Sequence, residues 1–362
     1  MKKKIISTVF FVILTTGTLG YVKSHYIKEL IFKTESLQIE DNFYDKYEMN
    51  TLQAVKNHLL HNQLLYSNDN INTKVQILYL EYLLKNNQEK EFKQMAEAIM
   101  KSLMTKEELI AVGGYIQDES IQPVHKASLE DNLKMYKLAV RAHKNWDDPL
   151  YQEIANLLEE QMYKYNVVKG KLYSYYDSMN DIREGEVELG DIDLKALAVL
   201  ENHSVDWKGL LQKGKDIVEK GFISRSFPLY YTYYNYDEKT YSTQEKLDTL
   251  ESLLIVQDLS ENGLYKSETI KWLKEQIKAG GIYEQYDSKT GMITSHQETI
   301  AIYAVISQIG KNVGDIELYT LAMEKMLSFQ VKDKENRYFG AFIEKGHDEL
   351  NEYDIVQALL AF

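Results

Sequence analysis

Ala127-Ser-Leu-Glu-Asp-Asn-Leu133, running on through Lys134 to His143-Lys-Asn-Trp146, is the stretch on which the reading of this chain turns. Ser128 suits a helix cap, because its hydroxyl accepts from a free N–H of the first turn. Behind it stand two adjacent carboxylates, Glu130 and Asp131, and the positive end of a helix dipole favours acids there. Leu133, Tyr136, Lys137, Val140 and Arg141 follow at helical spacing, and the pattern stops near Trp146 and Pro149. A carboxylate held at a helix start by packing is well placed to grip a polar ligand.

The same periodicity extends in both directions. Apolar residues recur every three or four positions over Leu52–Leu65, Val75–Leu84, Phe92–Met104, Leu133–His143, Tyr151–Tyr165 and Leu194–Leu200. They do so again over Trp207–Val218, Thr243–Asn262, Ser267–Lys278, Gln297–Ile309, Ile316–Phe329 and Tyr353–Ala361. This spacing predicts twelve helices, with Pro123, Pro149 and Pro228 in the connecting loops. The one alternating stretch, Glu184-Gly-Glu-Val-Glu-Leu189, is short and reads as a loop or turn.

A looser repeat runs through those loops. Tyr175-Tyr-Asp177, Tyr234-Asn-Tyr-Asp237, Tyr283-Glu-Gln-Tyr-Asp287 and Tyr353-Asp354 place aromatics beside an acid at intervals of roughly 50 to 67 residues. The acids also suit turns and caps. Repeating helical hairpins close into a toroid when inner helices pack at the centre, and six hairpins make an all-α (α/α)6 barrel. No linker rich in Pro, Gly or Ser divides the chain, so residues 25–362 read as one domain.

Composition narrows the function. The 362 residues are 44% hydrophobic, enough for a sizeable core, and carry a net charge of −13. That charge argues against nucleic acid, whose binding rests on Lys and Arg neutralising phosphates. There is no Cys, which excludes disulfides, thiolate metal sites and lipid attachment through an N-terminal Cys. Lys2, Lys3 and Lys4 precede an apolar run from Ile5 to about Val22, and Lys23 follows. That layout over residues 1–24 is an export signal or an N-terminal membrane anchor, and places the domain outside the cytoplasm.

Read together in order, several of these stretches resemble glycoside hydrolase family 8, especially exported members tied to bacterial exopolysaccharide operons. The markers are Tyr66-Ser-Asn-Asp-Asn70, Ser128-Leu-Glu-Asp-Asn-Leu133, Ala142-His-Lys-Asn-Trp146 and Gly190-Asp-Ile-Asp-Leu194. Phe227-Pro-Leu-Tyr230, Gly291-Met-Ile-Thr-Ser295, Thr299-Ile-Ala-Ile-Tyr303 and Tyr353-Asp-Ile-Val-Gln-Ala-Leu-Leu360 complete them. The resemblance implies an (α/α)6 barrel that hydrolyses β-linked glucans with inversion, through one carboxylic acid and one water-activating carboxylate. It implies no metal and no cofactor. The family's acid is a Glu following Ser in a Ser-Glu-x-Gln-like motif. Here Asn68 follows Ser67, with Asp69 beside it as the substitute acid. The family's base lies near the segment that reads Gly221–Tyr230, which contains no acid but holds Arg225, and Asp237 is the nearest one downstream. Asp131 resembles the carboxylate that holds the sugar beside the cleaved bond.

Other constellations carry less. His58 and His61 stand one helical turn apart without a third ligand, as on a surface helix. The acids from Asp181 to Asp193 lack the spacing of a calcium loop and read as a solvated run. Sugar rings stack on aromatic faces while their hydroxyls bond to polar side chains. Tyr176, Tyr230, Tyr231 and Tyr283 suit the first role, and Asn68, Glu130 and Arg225 the second, with Tyr233 and Tyr234 nearby. Three functions fit: an exported glycosidase acting on exopolysaccharide, a non-catalytic polysaccharide-binding protein that assists exopolysaccharide synthesis at the membrane, or a helical protein scaffold.

Overall fold

The computed structural model describes residues 43–362 apart from 184, 243, 244, 345 and 348. The export or anchor segment read at residues 1–24 lies outside the described residues, and no described helix is long and apolar enough to cross a membrane. Twelve α-helices occur among the described residues. They are α1 (Asp45–His58), α2 (Thr73–Lys85), α3 (Glu89–Ser102), α4 (Leu129–Trp146), α5 (Pro149–Asn166) and α6 (Leu194–His203). The second half contains α7 (Leu210–Lys220), α8 (Thr249–Glu261), α9 (Ser267–Ala279), α10 (Ile300–Val313), α11 (Ile316–Leu327) and α12 (Glu352–Ala361).

Even-numbered helices pack in a closed ring, α2 on α4, α4 on α6, and so on until α12 returns to α2. The odd-numbered helices lie outside them, which is the (α/α)6 arrangement. Sequence dictates which helix goes where. In α10, Ile300-Ala-Ile-Tyr-Ala-Val-Ile-Ser307 is buried without a break, and a helix that is apolar all round must be surrounded by protein. In α3 only Phe92, Met95, Ala96 and Ile99 are buried, a single stripe at i, i+3, i+4 and i+7 facing inward. Gly310 lets α10 and α11 touch, since a Cβ there would lie 2.7 Å from the backbone nitrogen of Tyr319.

The twelve predicted helices all form, but the loops differ from expectation. Four three-stranded antiparallel sheets stand at one rim. Their edge strands Asn70–Asn72, Lys126–Ser128, Glu186–Glu188 and Lys246–Asp248 feed α2, α4, α6 and α8, the third through a single 3-10 turn at Leu189–Asp191. The alternating stretch that reads as a loop is therefore partly a strand. Three of the aromatic–acid repeats take part, with Tyr175–Asp177, Tyr233–Asn235 and Gln285–Asp287 as the central strands.

The helix predicted to run to Leu65 stops at His58, because Leu60–His61 and Leu64–Leu65 pair as a hairpin. Its two turn residues, Asn62 and Gln63, both have positive φ, the geometry of a tight two-residue connection. His61 therefore lies on a strand and not one turn from His58 on a helix. Pro149 sits in the first turn of α5 and not in a loop, where its missing N–H costs nothing.

Candidate functional site

The six inner helices start at the rim that carries the sheets, and each start is capped by a side chain. Asn72, Ser128, Asp193, Asp248, Thr299 and Asn351 accept from first-turn amides of α2, α4, α6, α8, α10 and α12. At α2, α4, α8 and α12, a residue two or three places past the cap carries a polar side chain of the site: Lys74, Glu130, Asp131, Glu251 and Tyr353.

Glu130 and Asp131 occupy those two places in α4. Glu130, 5% exposed, receives Lys134 Nζ at 2.5 Å and Lys74 Nζ at 2.7 Å. Burial alone would push its carboxyl up, but the two ammonium groups prevail and hold it at about 2. Asp131, 3% exposed, accepts from the Ser128 hydroxyl at 2.7 Å through one oxygen, while its other oxygen is buried with no hydrogen-bond partner. Burial and the charge on Glu130 push Asp131 up to about 6. Two neighbouring carboxyls thus divide, one ionised and one retaining its proton toward neutrality, as in sites that need both an acid and a base.

Lys74 stands two places past the α2 cap. Burial opposes its charge, but Glu130, Tyr353, Glu251 and Asp131 outweigh that and keep it protonated well above its usual range. The tetrad Thr73-Lys74-Val75-Gln76 has the form of Ser-Glu-x-Gln with a lysine in the acid's place. Its flanking residues do structural work. Thr73 donates to the Ala111 carbonyl, and Gln76 bonds both backbone groups of Leu65.

Across the mouth, Glu251 lies three places past the α8 cap. Burial is the largest of the influences that raise it to about 7. Asp191, at the end of the 3-10 turn, is buried with one unpartnered oxygen, and burial followed by Glu188 raises it well above the carboxylate range. Burial, with Glu188 beside them, pushes up the hydroxyls of Tyr175 and Tyr233; Tyr233 is the cross-strand partner of Glu188 in the same sheet, and Tyr175 belongs to the neighbouring one. Tyr353, two places past the α12 cap, is pushed up to about 12 by burial and lies beside Lys74, Lys134 and Glu130.

Of the residues singled out in sequence, the structure brings Asp131 and Glu130 to this mouth. Asn68 and Asp69 do not join them. They are the exposed tips of a turn between Ser67 and Asn70, both with positive φ. Asn68 instead borders a cavity of about 520 Å³ shared with Asn351 and Glu352 ahead of α12.

Tyr176 faces away from the mouth, donating to Asp181 and lying against Tyr165, because neighbours on a strand point to opposite faces. It is Tyr175 that faces Glu188. Tyr230 is wholly buried against Phe222. Tyr231 stacks on Tyr241 and Tyr283 meets His296, both half-buried.

The Arg225 side chain, 88% exposed, pairs with Glu268 at the start of the outer helix α9. Asp237, 86% exposed, pairs with Lys171. The acidic run is only partly solvated, since Asp191 and Asp193 are buried and Asp193 pairs with Lys137 at 2.5 Å. Glu251 is missed by motif reading, although its signal is in the sequence. Ser128-x-x-Asp131, Asp248-x-x-Glu251 and Asn351-x-x-Asp354 share one capping pattern.

No family model and no curated protein sequence matches the chain. Solved structures do. A novel α-amylase from Clostridium perfringens is 24% identical, with a TM-score of 0.80 over 87% of this chain and 96% of that one. PssZ from Listeria monocytogenes is 16% identical, with a TM-score of 0.67 over 91% of this chain and 96% of that one. Endoglucanase Cel10, a family 8 glycosyl hydrolase from Klebsiella pneumoniae, is 11% identical, with a TM-score of 0.62 over 86% and 97%. The chain therefore has the (α/α)6 barrel fold of the family 8 glycoside hydrolases.

Proposed function

We propose that this protein is an exported glycoside hydrolase that cleaves a polysaccharide in the barrel mouth. The observation that carries this reading is the division of carboxyls there. Asp131 and Glu251 hold protons toward neutrality while Glu130 beside them is ionised. Glycoside hydrolysis needs a carboxyl that still carries its proton at working pH. In this reading Asp131 grips a sugar hydroxyl with its unpartnered oxygen, and the proton donor is a carboxyl of the mouth other than Asp69.

The test is reducing-end release by the purified protein from soluble starch, β-1,4-glucan, xylan and the host's own exopolysaccharide. Release abolished by Asp131→Ala is expected, and no release from any polymer would refute the reading.

One observation favours a second reading. Lys74 takes the acid's place in the tetrad Thr73-Lys74-Val75-Gln76, a better match to Ser-Glu-x-Gln than the turn at Asn68, and it is locked to Glu130. A barrel that has given up that donor serves as a polysaccharide-binding protein. Saturable binding of the same polymers without cleavage would decide for it.

A further inference from the structure

A cavity of about 260 Å³ lies on the outer wall, between the outer helix α5 and the link that joins α6 to α7. One side of it is a face of α5. Asn156, Glu159, Glu160 and Tyr163 stand there at i, i+3, i+4 and i+7, the spacing that aligns side chains along one side of a helix. The link supplies Asp206 and Trp207 on the other side. Hydrogen bonds hold the link in shape. Ser204 N–H donates to the Leu200 carbonyl at 2.9 Å, Leu210 N–H to the Trp207 carbonyl at 3.1 Å, and Gly209 N–H to the Glu201 carboxylate at 3.2 Å. The inner helix α6 begins at the mouth, and the link follows its last residue, ten residues further along. That is a helix length of about 15 Å, so the cavity is separate from the mouth.

Two rings meet in it. Trp207 is 1% exposed and Tyr163 36%, with their centroids 5.8 Å apart and their planes at 59°. Trp207 is thus a fixed floor, while Tyr163 shows part of its ring to solvent. The Trp207 indole N–H has no hydrogen-bond partner among the described residues, and a donor left so in a buried side chain is costly. Asn156 accepts from Gln152 at 2.7 Å through its oxygen, which leaves its NH₂ group to donate. Glu159, Glu160 and Asp206 add acceptors. A cation does not satisfy this set, because it brings donors alone and the indole N–H needs an acceptor. An anion is repelled by the three carboxylates. A hydroxyl both donates and accepts, and a pyranose carries several of them around an apolar face that suits the Tyr163 ring. The volume lies below the roughly 300–1,000 Å³ of pockets that enclose a drug-sized ligand, which suits one ring of a longer chain. We propose that this cavity is a second saccharide site, which holds one sugar ring of the polysaccharide away from the mouth and anchors the polymer to the outer wall. The assignment rests on the reading of the chain as a protein that takes up a polysaccharide, and is independent of cleavage.

The experiment is electrophoresis of the full chain through native gels that contain soluble starch, β-1,4-glucan, xylan or the host's own exopolysaccharide, in which retardation reads affinity. Asp131→Ala, which disables the mouth, should leave a residual retardation in the gel that retards the wild type. Tyr163→Ala added to it should lower that residual affinity about tenfold, and Tyr163→Phe in its place should restore it, because the ring remains. Trp207→Phe on the Asp131→Ala background should weaken it as well, since the donor is gone while a ring still fills the floor. A protein that merely unfolds shows no rescue by Tyr163→Phe. Retardation abolished by Asp131→Ala alone, or equal with and without the Tyr163 ring, would overturn the second site and leave the hydrolase reading standing. Retardation that depends on Tyr163 in a protein that cleaves nothing would uphold the second site and overturn the hydrolase reading. A wild type retarded in none of the gels would overturn both.

Discussion

Replacing Asp131 by Asn should make the protein more stable at alkaline pH and leave its stability almost unchanged in acid. Asp131 is buried, and its carboxyl is raised from 3.8 to about 6 by burial and by Glu130. Its folded value lies above its unfolded value, so the folded state binds the proton more tightly. Wild-type stability is therefore complete below about pH 4 and falls as pH rises through 6. At about 1.4 kcal/mol per pH unit, the displacement corresponds to ~3 kcal/mol lost above pH 7. Asn carries no charge to bury, and its oxygen can still accept from the Ser128 hydroxyl.

The difference between variant and wild type should thus climb from near zero at pH 4 to ~3 kcal/mol at pH 8. In a domain of this size that is a rise in Tm on the order of 4 °C. Urea unfolding at pH 4, 6 and 8 reads the difference directly, because Glu251, Asp191 and Asp354 titrate in both proteins. A difference that does not change with pH would refute the reasoning, since it would mean that Asp131 ionises as freely in the fold as in the unfolded chain. Glycan binding should weaken in the same variant, the usual cost of relieving a strained site.

Lys134→Met should destabilise the protein by about 3–5 kcal/mol, because it leaves the buried Glu130 with only Lys74 to balance it; chemical denaturation at pH 7 measures this, and an effect under 1 kcal/mol would contradict the pairing. Gly310→Ala should cost about 3 kcal/mol, since the new Cβ meets the Tyr319 backbone where α10 and α11 touch, and an unchanged melting temperature would show that the helices can part freely. Gln76→Ala should cost about 3 kcal/mol by stranding both backbone groups of Leu65, and hydrogen exchange at Leu65 should quicken. Slow exchange there in the variant would place the restraint elsewhere.

The fold was legible because inner and outer helices carry different hydrophobic patterns, and periodicity survives in one dimension. The unbroken run Ile300–Ser307 and the single stripe through Phe92 and Ile99 say which helix is enclosed and which is half-wet. What periodicity does not encode is where an apolar run changes conformation. Leu59, Leu60, Leu64 and Leu65 keep helical spacing, yet Asn62 and Gln63 reverse the chain between them. The site was half legible for a related reason. Asp131 could be found because a cap precedes it locally, and Asp248 marks Glu251 in the same way, whereas Glu188 joins the mouth only once its sheet has formed. Alignment by the hydroxyl before the acid chose Ser67 over Thr73, although the glutamine three places on marks Thr73.

The acidity of the mouth has two origins, and separating them shows which groups are free for chemistry. Six helices present their N-termini to one rim, so unsatisfied amides and positive dipole ends collect there and call for acceptors. Asp193 and Asp248 are consumed by that demand as caps. Asp354 is consumed too, because it accepts from the backbone of Ala301 on the next helix. Their presence follows from the architecture and carries no news of function. Lys74 runs against the same field, since a cation in the first turn of a helix is opposed by the dipole. It is retained by the carboxylates around it, Glu130 first. After those uses are subtracted, and Glu130 is set aside as the partner of Lys74 and Lys134, the carboxyls left at the mouth are Asp131, with one unpartnered oxygen, Glu188, Asp191 and Glu251. Burying such groups costs stability that packing alone would not demand. That cost is the physical reason to look for the reaction among these four, and the pH dependence of Asp131→Asn measures it at the one whose setting is most fully defined.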